Sequence, residues 1–302
     1  MTTPNRKKIW AICNPMAGQN TQDRITHMIE LLKDQDLAPQ VQFTAYPGHA
    51  EQLAREACQN NVALIIICGG DGTLNEIANG ILAGQKQAGS LPALAVYPTG
   101  TANVVAKELG VPLDPVAFAA LLRQNRQITV WPAEINDRYF IAMAGAGVDA
   151  QVVGQITPQE KKKLSVFTYI LQTLTLLRQP WEHVYSVRID GRIYRAASVI
   201  VTNSRYYAGK FELTPLSRLT EPRLYTCLIT QGTRAHLLRV IFGLLAGRFH
   251  RQPFVRIIPG QSVTIEGLTT GPVQVDGDIR TKLPVTIRVG QKPLQFIAGQ
   301  TQ

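Results

Sequence analysis

Chemistry first suggests itself at Gly69-Gly70-Asp71-Gly72-Thr73, where three glycines and one carboxylate crowd into five residues. Without Cβ atoms, the backbone N–H groups of such a turn can approach a ligand closely. Val62 and Leu64 to Ile67 precede it as an apolar run, and Leu74, Ile77, Ala78 and Ile81 follow at helical spacing. The expected succession is a buried strand, a glycine turn and a helix. A helix that begins there aims its partly positive end at the turn, which suits phosphate. Asp71, in the middle of the turn, would repel a bare phosphate unless Mg²⁺ lay between them. The pattern therefore points to a nucleoside triphosphate with its metal. The competing reading is that the glycines only tighten the turn and Asp71 caps the helix.

The elements around this turn repeat its grammar. Lys8 to Cys13 reads as a first buried strand and runs into Asn14-Pro15-Met16-Ala17-Gly18, a turn at the strand edge where α/β sheets place ligands. A helix is expected over about Thr21–Lys33, a strand over Val41–Tyr46 and a helix over Glu51–Cys58. Thr44 lies near the end of its strand, where its hydroxyl could reach a nucleotide or where it simply favours the strand. Ala93 to Tyr97 is a fourth short strand. It ends in the polar loop Pro98 to Asn103, ahead of a helix marked by Val104, Val105 and Leu109. This alternation implies a doubly wound, mostly parallel α/β domain over residues 1–130.

Beyond Ile128 the pattern becomes one of short strands. They are expected at Ile128–Ile135, Tyr139–Ala144, Val184–Ile189, Ile193–Val201, Leu224–Ile229, Phe254–Ile258, Ser262–Ile265, Val273–Val275 and Val285–Val289. Asp190-Gly191 is a strong hairpin signal among them. Two helices interrupt the series, at about Lys161–Leu177 and His236–Leu245. A mostly antiparallel second domain over residues 131–291 follows, with the break near Val130-Trp131-Pro132.

A chain that is 45% hydrophobic and only 17% charged is not disordered. The N-terminal segment is too poor in apolar residues for a signal peptide, and no run reaches the ~18 needed to span a bilayer. Cys13, Cys58, Cys68 and Cys227 lack metal spacing, which fits buried thiols in a reducing cytosol. The five histidines show no zinc spacing either. The net charge of +10 is concentrated: residues 160–256 carry 16 Lys and Arg against 5 Asp and Glu. An excess of that kind suggests a negative partner such as a membrane or nucleic acid, or else only a solvated basic face. Gly145 to Ala150 fits G-x-G-x-x-A, but no acidic strand end follows at the distance a dinucleotide site requires.

Taken in order, the Asn14 to Gly18 loop, the Gly69 to Thr73 turn, the Gly100-Thr101-Ala102-Asn103 loop and Val275-Asp276-Gly277-Asp278 resemble the diacylglycerol kinase catalytic-domain family, which includes bacterial lipid kinases and sphingosine and ceramide kinases. The resemblance covers nearly the whole chain. It implies an N-terminal domain like that of phosphofructokinase and NAD kinase, a C-terminal β-sandwich, and a cleft between them for ATP and lipid. Residues 292–302 would return to the first domain. It further implies that Asn14, Pro15, Met16, Ala17 and Gly18 bind ATP, together with Gly69, Gly70, Asp71, Gly72, Thr73, Leu74, Asn75 and Glu76. Thr44, Thr101 and Asn103 would add contacts, with Asp71 as the Mg²⁺–ATP carboxylate. Asp276 and Asp278 occupy the positions that supply the general base, which would take the proton of a lipid hydroxyl as it attacks the γ-phosphate. Apart from the resemblance, Asp276-Gly277 reads as an ordinary hairpin turn.

Three departures stand out. Asp278 replaces the family's Glu, Val104 stands where many relatives have Asp, and the acidic turn that holds a structural Mg²⁺ reads Thr220-Glu221-Pro222-Arg223, leaving Glu221 alone. The two later helices combine apolar stretches with Lys161 to Lys163, Arg234, Arg239, Arg248 and Arg251, as a surface docking on anionic lipid would. The leading expectation is thus a cytoplasmic, peripherally membrane-associated lipid kinase using Mg–ATP, with no nucleic-acid partner. Two rivals remain: a kinase of a soluble acceptor such as NAD, and a nucleotide-binding regulator weak in catalysis. Oligomeric state is left open, a homodimer included.

Overall fold

The computed structural model describes residues 8–18, 21–35, 37–84, 91–155, 184–209 and 211–300. The chain divides into two compact units, residues 1–130 with 292–302 and residues 131–291.

In the first unit β1 (Ile9–Cys13), β2 (Gln40–Phe43), β3 (Leu64–Gly69) and β4 (Ala93–Pro98) run parallel in the order β2-β1-β3-β4. The C-terminal strand Leu294–Ile297 lies parallel to β4 and pairs on its other side, antiparallel, with β5 (Gln127–Val130). Ile65, Ile66 and Ile67 are fully buried, which explains the unbroken apolar run: a strand covered on both faces has no polar side to alternate with. The helices are α1 (Thr21–Lys33), α2 (His49–Gln59), α3 (Asp71–Gly84), α4 (Val104–Glu108) and α5 (Pro115–Gln124). Asp114 caps α5 by accepting from the Ala117 N–H at 2.8 Å, with Pro115 in the first helical position. β1 has β2 on one side and β3 on the other, so the order reverses between β1 and β3. In an open α/β sheet the crevice beyond the carboxyl ends at such a point is where ligands bind.

The second unit holds β6 (Ala133–Ile135), β7 (Arg138–Phe140), β8 (Met143–Ala146), β9 (Tyr185–Ile189), β10 (Arg192–Ala196), β11 (Ser198–Thr202), β12 (Tyr206–Tyr207), β13 (Phe211–Glu212), β14 (Leu224–Ile229), β15 (Val255–Gly260), β16 (Ser262–Gly267), β17 (Pro272–Val275), β18 (Asp278–Lys282) and β19 (Val285–Val289), with helices α6 (Val148–Gln155) and α7 (Arg234–Leu245). Two antiparallel sheets, β10-β9-β16-β19-β6-β7 and β15-β14-β11-β8-β17-β18, form a sandwich. Val187, Val263 and Ile287 of one sheet share its core with Val199, Val201 and Val273 of the other.

Three runs expected as single strands are each two. Ile128–Ile135 is broken at Trp131-Pro132 into β5 and β6, Tyr139–Ala144 at Ile141-Ala142 into β7 and β8, and Ile193–Val201 at Ala197 into β10 and β11. In the last two cases the chain leaves one sheet of the sandwich and enters the other, while the apolar residues continue through the corner. The helix expected from Thr21 to Lys33 has those bounds. The one expected from His236 starts at Arg234, because Thr233 caps it by accepting from the His236 N–H. The helix expected over Lys161–Leu177 lies outside the described residues. Among the described residues no helix is long and apolar enough to cross a membrane.

Candidate active site

Three loops meet at the carboxyl ends of β1, β3 and β4. The Asn14 N–H donates to the Cys68 carbonyl at 2.8 Å, and the Asn14 amide Nδ2 to Thr73 Oγ1 at 3.1 Å. Thr99 N–H donates to the Gly69 carbonyl at 3.2 Å, so all three loops are tied to β3 or its turn. The backbones then touch. A Cβ on Gly100 would lie 2.5 Å from the Gly70 Cα, and one on Gly18, whose φ is +80°, would lie 2.1 Å from the Thr99 carbonyl oxygen. Glycine is thus required for loop-to-loop contact at Gly100 and Gly18, while a Cβ on Gly72 would meet nothing within 4 Å, leaving its side of the turn open. Asp71 is the first residue of α3 rather than the middle of a loop, and the first helical hydrogen bond runs from the Leu74 N–H to the Gly70 carbonyl at 3.1 Å. The N–H groups ahead of it, at Gly72 and Thr73, sit in the partly positive first turn.

The side chains of the sequence motif divide by role. Asp71 reaches beyond its own helix: its Oδ2 accepts the Val104 N–H at 3.0 Å and its Oδ1 the Val105 N–H at 3.2 Å, which fixes the start of α4 beside the turn. Glu76 accepts from the Gly48 and Ala50 N–H groups at 3.0 and 3.3 Å and so holds the start of α2. Leu74 is buried in the core, and Asn75 is buried with Asn79 Nδ2 donating to its Oδ1 at 3.1 Å. Thr44 follows β2 directly, its N–H bonded to the Cys13 carbonyl at 2.9 Å. Met16 and Thr101 are exposed, while Pro15 and Ala17 are half-buried. Asn103 takes a left-handed φ of 46° and donates from Nδ2 to the Gly100 carbonyl at 2.7 Å. Asn103 Oδ1 and Thr99 Oγ1, both buried at the edge of this cradle, have no hydrogen-bond partner among the described residues.

In the second unit Asp276 and Gly277 form a two-residue turn with φ of 46° and 83° between β17 and β18. The Asp276 carboxylate accepts three backbone N–H groups: Ile141 on Oδ2 at 3.0 Å, and Ala142 and Met143 on Oδ1 at 3.0 and 2.9 Å. Those residues form the corner between β7 and β8, so one side chain pins the hairpin to the place where the chain changes sheets. Asp278 is half-buried and paired with Arg280 at 3.0 Å. Nearby, Asp149 in the first turn of α6 is a buried carboxylate that accepts from the Tyr207 hydroxyl and from Gln274 Nε2, the latter at 2.6 Å. Gln274 Oε1 in turn accepts the Gly277 N–H at 2.9 Å. Gly145 makes room for this carboxylate, since a Cβ there would lie 2.0 Å from Asp149 Oδ2. Asp149 and Tyr207 also line an apolar cavity walled by α6, β11 and α7 through Val152, Ile200, Val240 and Leu244.

Comparison with known proteins then decides the family. The description "Diacylglycerol kinase catalytic domain" matches residues 8–134, and "YegS C-terminal NAD kinase beta sandwich-like domain" matches residues 142–298. The chain belongs to the diacylglycerol kinase family. It is therefore a kinase. A diacylglycerol kinase of Staphylococcus carnosus (strain TM300) is 26% identical over 284 residues, covering 92% of this chain and 91% of that protein. The diacylglycerol kinase of Staphylococcus saprophyticus is 25% identical over the same shares. The crystal structure of a diacylglycerol kinase from Bacillus anthracis str. Sterne superposes with a TM-score of 0.79 at 25% identity, covering 98% of this chain and 99% of that one. Yeast NADH kinase complexed with NADH shares the fold alone, with a TM-score of 0.53 at 12% identity and coverage of 100% and 89%.

The residues of this kinase suit a magnesium nucleotide. The open backbone at Gly72, the helical N-terminus behind it and the orphaned Thr99 hydroxyl offer donors to phosphate, and Asn103 Oδ1 offers an acceptor for a metal-bound water. Mg²⁺ on a nucleotide needs only one or two protein carboxylates, because phosphates and water fill its octahedron. Glu221 is exposed, and among the described residues no group of three or more His, Cys, Asp and Glu converges that could form a separate metal cage. Asp149 lies in Gly145 to Ala150, which resembles the family's G-x-G-x-D-A turn, but its partnership with Tyr207 and Gln274 is not expected from the sequence. The only local sign of it is an Asp two residues after Gly145-Ala146-Gly147, which a cofactor fingerprint also contains.

Proposed function

We propose that this kinase transfers the γ-phosphoryl group of Mg–ATP to the hydroxyl of a lipid, of the diacylglycerol or sphingoid type, presented at a membrane. One observation carries the choice of a lipid over a soluble acceptor. The second unit contains an apolar cavity whose lining includes the bonded pair Asp149 and Tyr207, joined through Gln274 to the Asp276-Gly277 turn. Hydrocarbon suits such walls, and a hydroxyl-bearing head suits such a polar pair. Supporting it are the names of the relatives, several of them diacylglycerol kinases.

The bound magnesium nucleotide would supply the phosphoryl group and screen its charge. The chain's own residues do the rest. Backbone N–H groups at Gly72 and Thr73 hold the triphosphate, and the contacts among Gly18, Gly70, Thr99 and Gly100 keep the cradle rigid. Asp71, oriented by Val104 and Val105, is the carboxylate offered to the metal's shell. A lipid hydroxyl is a poor nucleophile at neutral pH, so a hairpin carboxylate, Asp276 or Asp278, takes its proton as the oxygen attacks phosphorus. The test is incubation of purified protein with labelled ATP and vesicles carrying diacylglycerol or sphingosine. Labelled phospholipid is the expected product. Its absence from every neutral or sphingoid lipid, with turnover on a soluble acceptor such as NAD instead, would overturn the reading.

A further inference from the structure

We propose that α7 is the surface by which this kinase docks on an anionic bilayer, with Phe242 entering the lipid. The proposal rests on the lipid-acceptor reading above and specifies where that acceptor's membrane is met. Phe242 is 73% exposed, Leu238 48% and Leu245 49%. Single exposed apolar side chains are ordinary, but these three share one stripe. At about 100° per residue, Leu245, Leu238 and Phe242 fall within about 60° of arc on α7. Arg234 lies about 20° outside one edge of that stripe and Arg239 about 60° beyond the other. Arg248 and Arg251 follow the helix and are exposed as well. From Thr230 to Arg256 the chain has five arginines and no Asp or Glu. Such a stripe bracketed by cations, in a segment that carries no acid and whose neighbour Glu212 is paired with Arg205, is complementary to the interface of an anionic membrane.

The opposite face of α7 is anchored. Leu237, Val240 and Gly243 are buried, and a Cβ on Gly243 would lie 3.2 Å from the Phe249 Cα. The stripe therefore faces outward without any rotation of the helix. Val240 on the buried face of α7 and Leu244 on its flank line the apolar cavity, as does Leu245 at the edge of the stripe, so one helix presents both a membrane-seeking stripe and a wall of the chamber proposed for the lipid chain. A nucleic-acid surface would interleave aromatics with its cations; here the apolar stripe is continuous and contains a single aromatic.

The test is co-sedimentation of the full chain with phosphatidylcholine vesicles with and without phosphatidylglycerol, alongside turnover of a short-chain, water-soluble diacylglycerol. Wild type should pellet with phosphatidylglycerol vesicles at low salt. Phe242→Ser should lower the partition coefficient by about 10-fold, and Arg234→Gln with Arg239→Gln by about 25-fold, each arginine near such a surface being worth about fivefold. Both variants should keep wild-type turnover of the soluble lipid and an unchanged circular dichroism spectrum. As a reporter, Phe242→Trp should shift its emission to the blue on phosphatidylglycerol vesicles. If wild type fails to pellet, or if both variants pellet like wild type, the docking surface is wrong. A vesicle-free dimer that Phe242→Ser dissolves would also overturn it, because the stripe would then be covered by a second copy. If instead the variants lose vesicle binding and the short-chain lipid is never phosphorylated, the docking surface stands and the acceptor assignment falls.

Discussion

Replacing Asp276 by Asn tests whether the hairpin carboxylate is first of all a structural tie. The substitution is nearly isosteric, and Asn tolerates the left-handed φ of 46° as well as Asp does, so the turn itself is not penalised. What changes is the acceptor count. The carboxylate receives three N–H groups at 2.9–3.0 Å, two on Oδ1 and one on Oδ2. In the best case the amide oxygen keeps Ala142 and Met143, and the NH₂ group then faces the Ile141 N–H, donor against donor. One orphaned donor costs about 1–3 kcal/mol, and exchanging charge-assisted for neutral bonds weakens the other two by roughly half. Allowing for the partial exposure of the site, the expected loss is about 2–3 kcal/mol. A chain of two units need not unfold in one step, so the cleaner readout is local: amide hydrogen exchange. Exchange at Ile141 and Met143 should accelerate by about 30- to 160-fold, which is that loss expressed as an opening constant. Phosphoryl transfer should fall by about 10²–10⁴-fold if this carboxylate also takes the proton. Unchanged protection at both amides would refute the tie. Unchanged turnover in this variant and in Asp278→Asn alike would remove the base from this hairpin.

Asp71→Asn should slow turnover mainly through weaker nucleotide binding, because α4 loses one of its two N–H acceptors; titration with a fluorescent ATP analogue measures the change, and wild-type affinity would contradict the role given to Val104 and Val105. Gly100→Ala places a methyl group 2.5 Å from the Gly70 Cα, so the loops must part at a cost of about 1–3 kcal/mol, read as a lower melting temperature and poorer ATP affinity. Cys227 is fully buried in β14 and burial pushes its thiol up to about 12. An acid whose folded pKa is raised contributes stability below its ordinary value near 9.0 and loses it as pH rises toward the folded one. Urea midpoints measured at pH 8 and again well above 9.0 should therefore diverge less in Cys227→Ala than in wild type, by up to about 1.4 kcal/mol per pH unit. An equal divergence in both proteins would show that the thiol ionises as readily folded as unfolded.

What could be read from the sequence was whatever depends on neighbours along the chain. The apolar run ending at Gly69, the helical spacing after it and the Asp-Gly pairs all act over a few residues, and each has the local form expected. The strand breaks at Ile141-Ala142 and Ala197 were invisible because apolar residues continue through a corner when both sheets face one core. Pro132 marks its break, since a proline cannot donate to a ladder; a domain break is expected there, although the expected strand still runs across it. Asp71 illustrates the harder limit. Its sequence context offers its own helix as a partner, whereas two of its bonds go to residues 33 and 34 positions away. The Tyr207–Asp149–Gln274 chain spans 58 and 125 positions and has no periodicity to betray it.

An internal comparison separates the two duties assigned to Asp276. Asp190-Gly191 is a hairpin turn of the same kind, with φ of 44° and 86°, and the Asp190 carboxylate likewise accepts backbone N–H groups of another segment, Gln261 at 3.1 Å and Ser262 at 2.9 Å. Nothing assigns chemistry to that hairpin. Two N–H groups rather than three meet Asp190, and they are exposed to water, so Asp190→Asn should cost about 1 kcal/mol and speed exchange at Gln261 or Ser262 by about fivefold. Its turnover should equal that of wild type. If turnover instead falls in Asp190→Asn as far as it does in Asp276→Asn, loss of activity follows from loosening the sandwich anywhere, and the hairpin at Asp276 has no chemical privilege. If it does not fall, the excess loss at Asp276 belongs to what distinguishes the two turns: only the Asp276-Gly277 turn is bonded, through Gln274, to the buried Asp149 and Tyr207 in the cavity lining. Phosphoryl transfer depends chiefly on positioning, and a carboxylate fixed by three backbone bonds, in a turn whose Gly277 N–H is tied through Gln274 to the cavity lining, is held in a single orientation before any acceptor arrives.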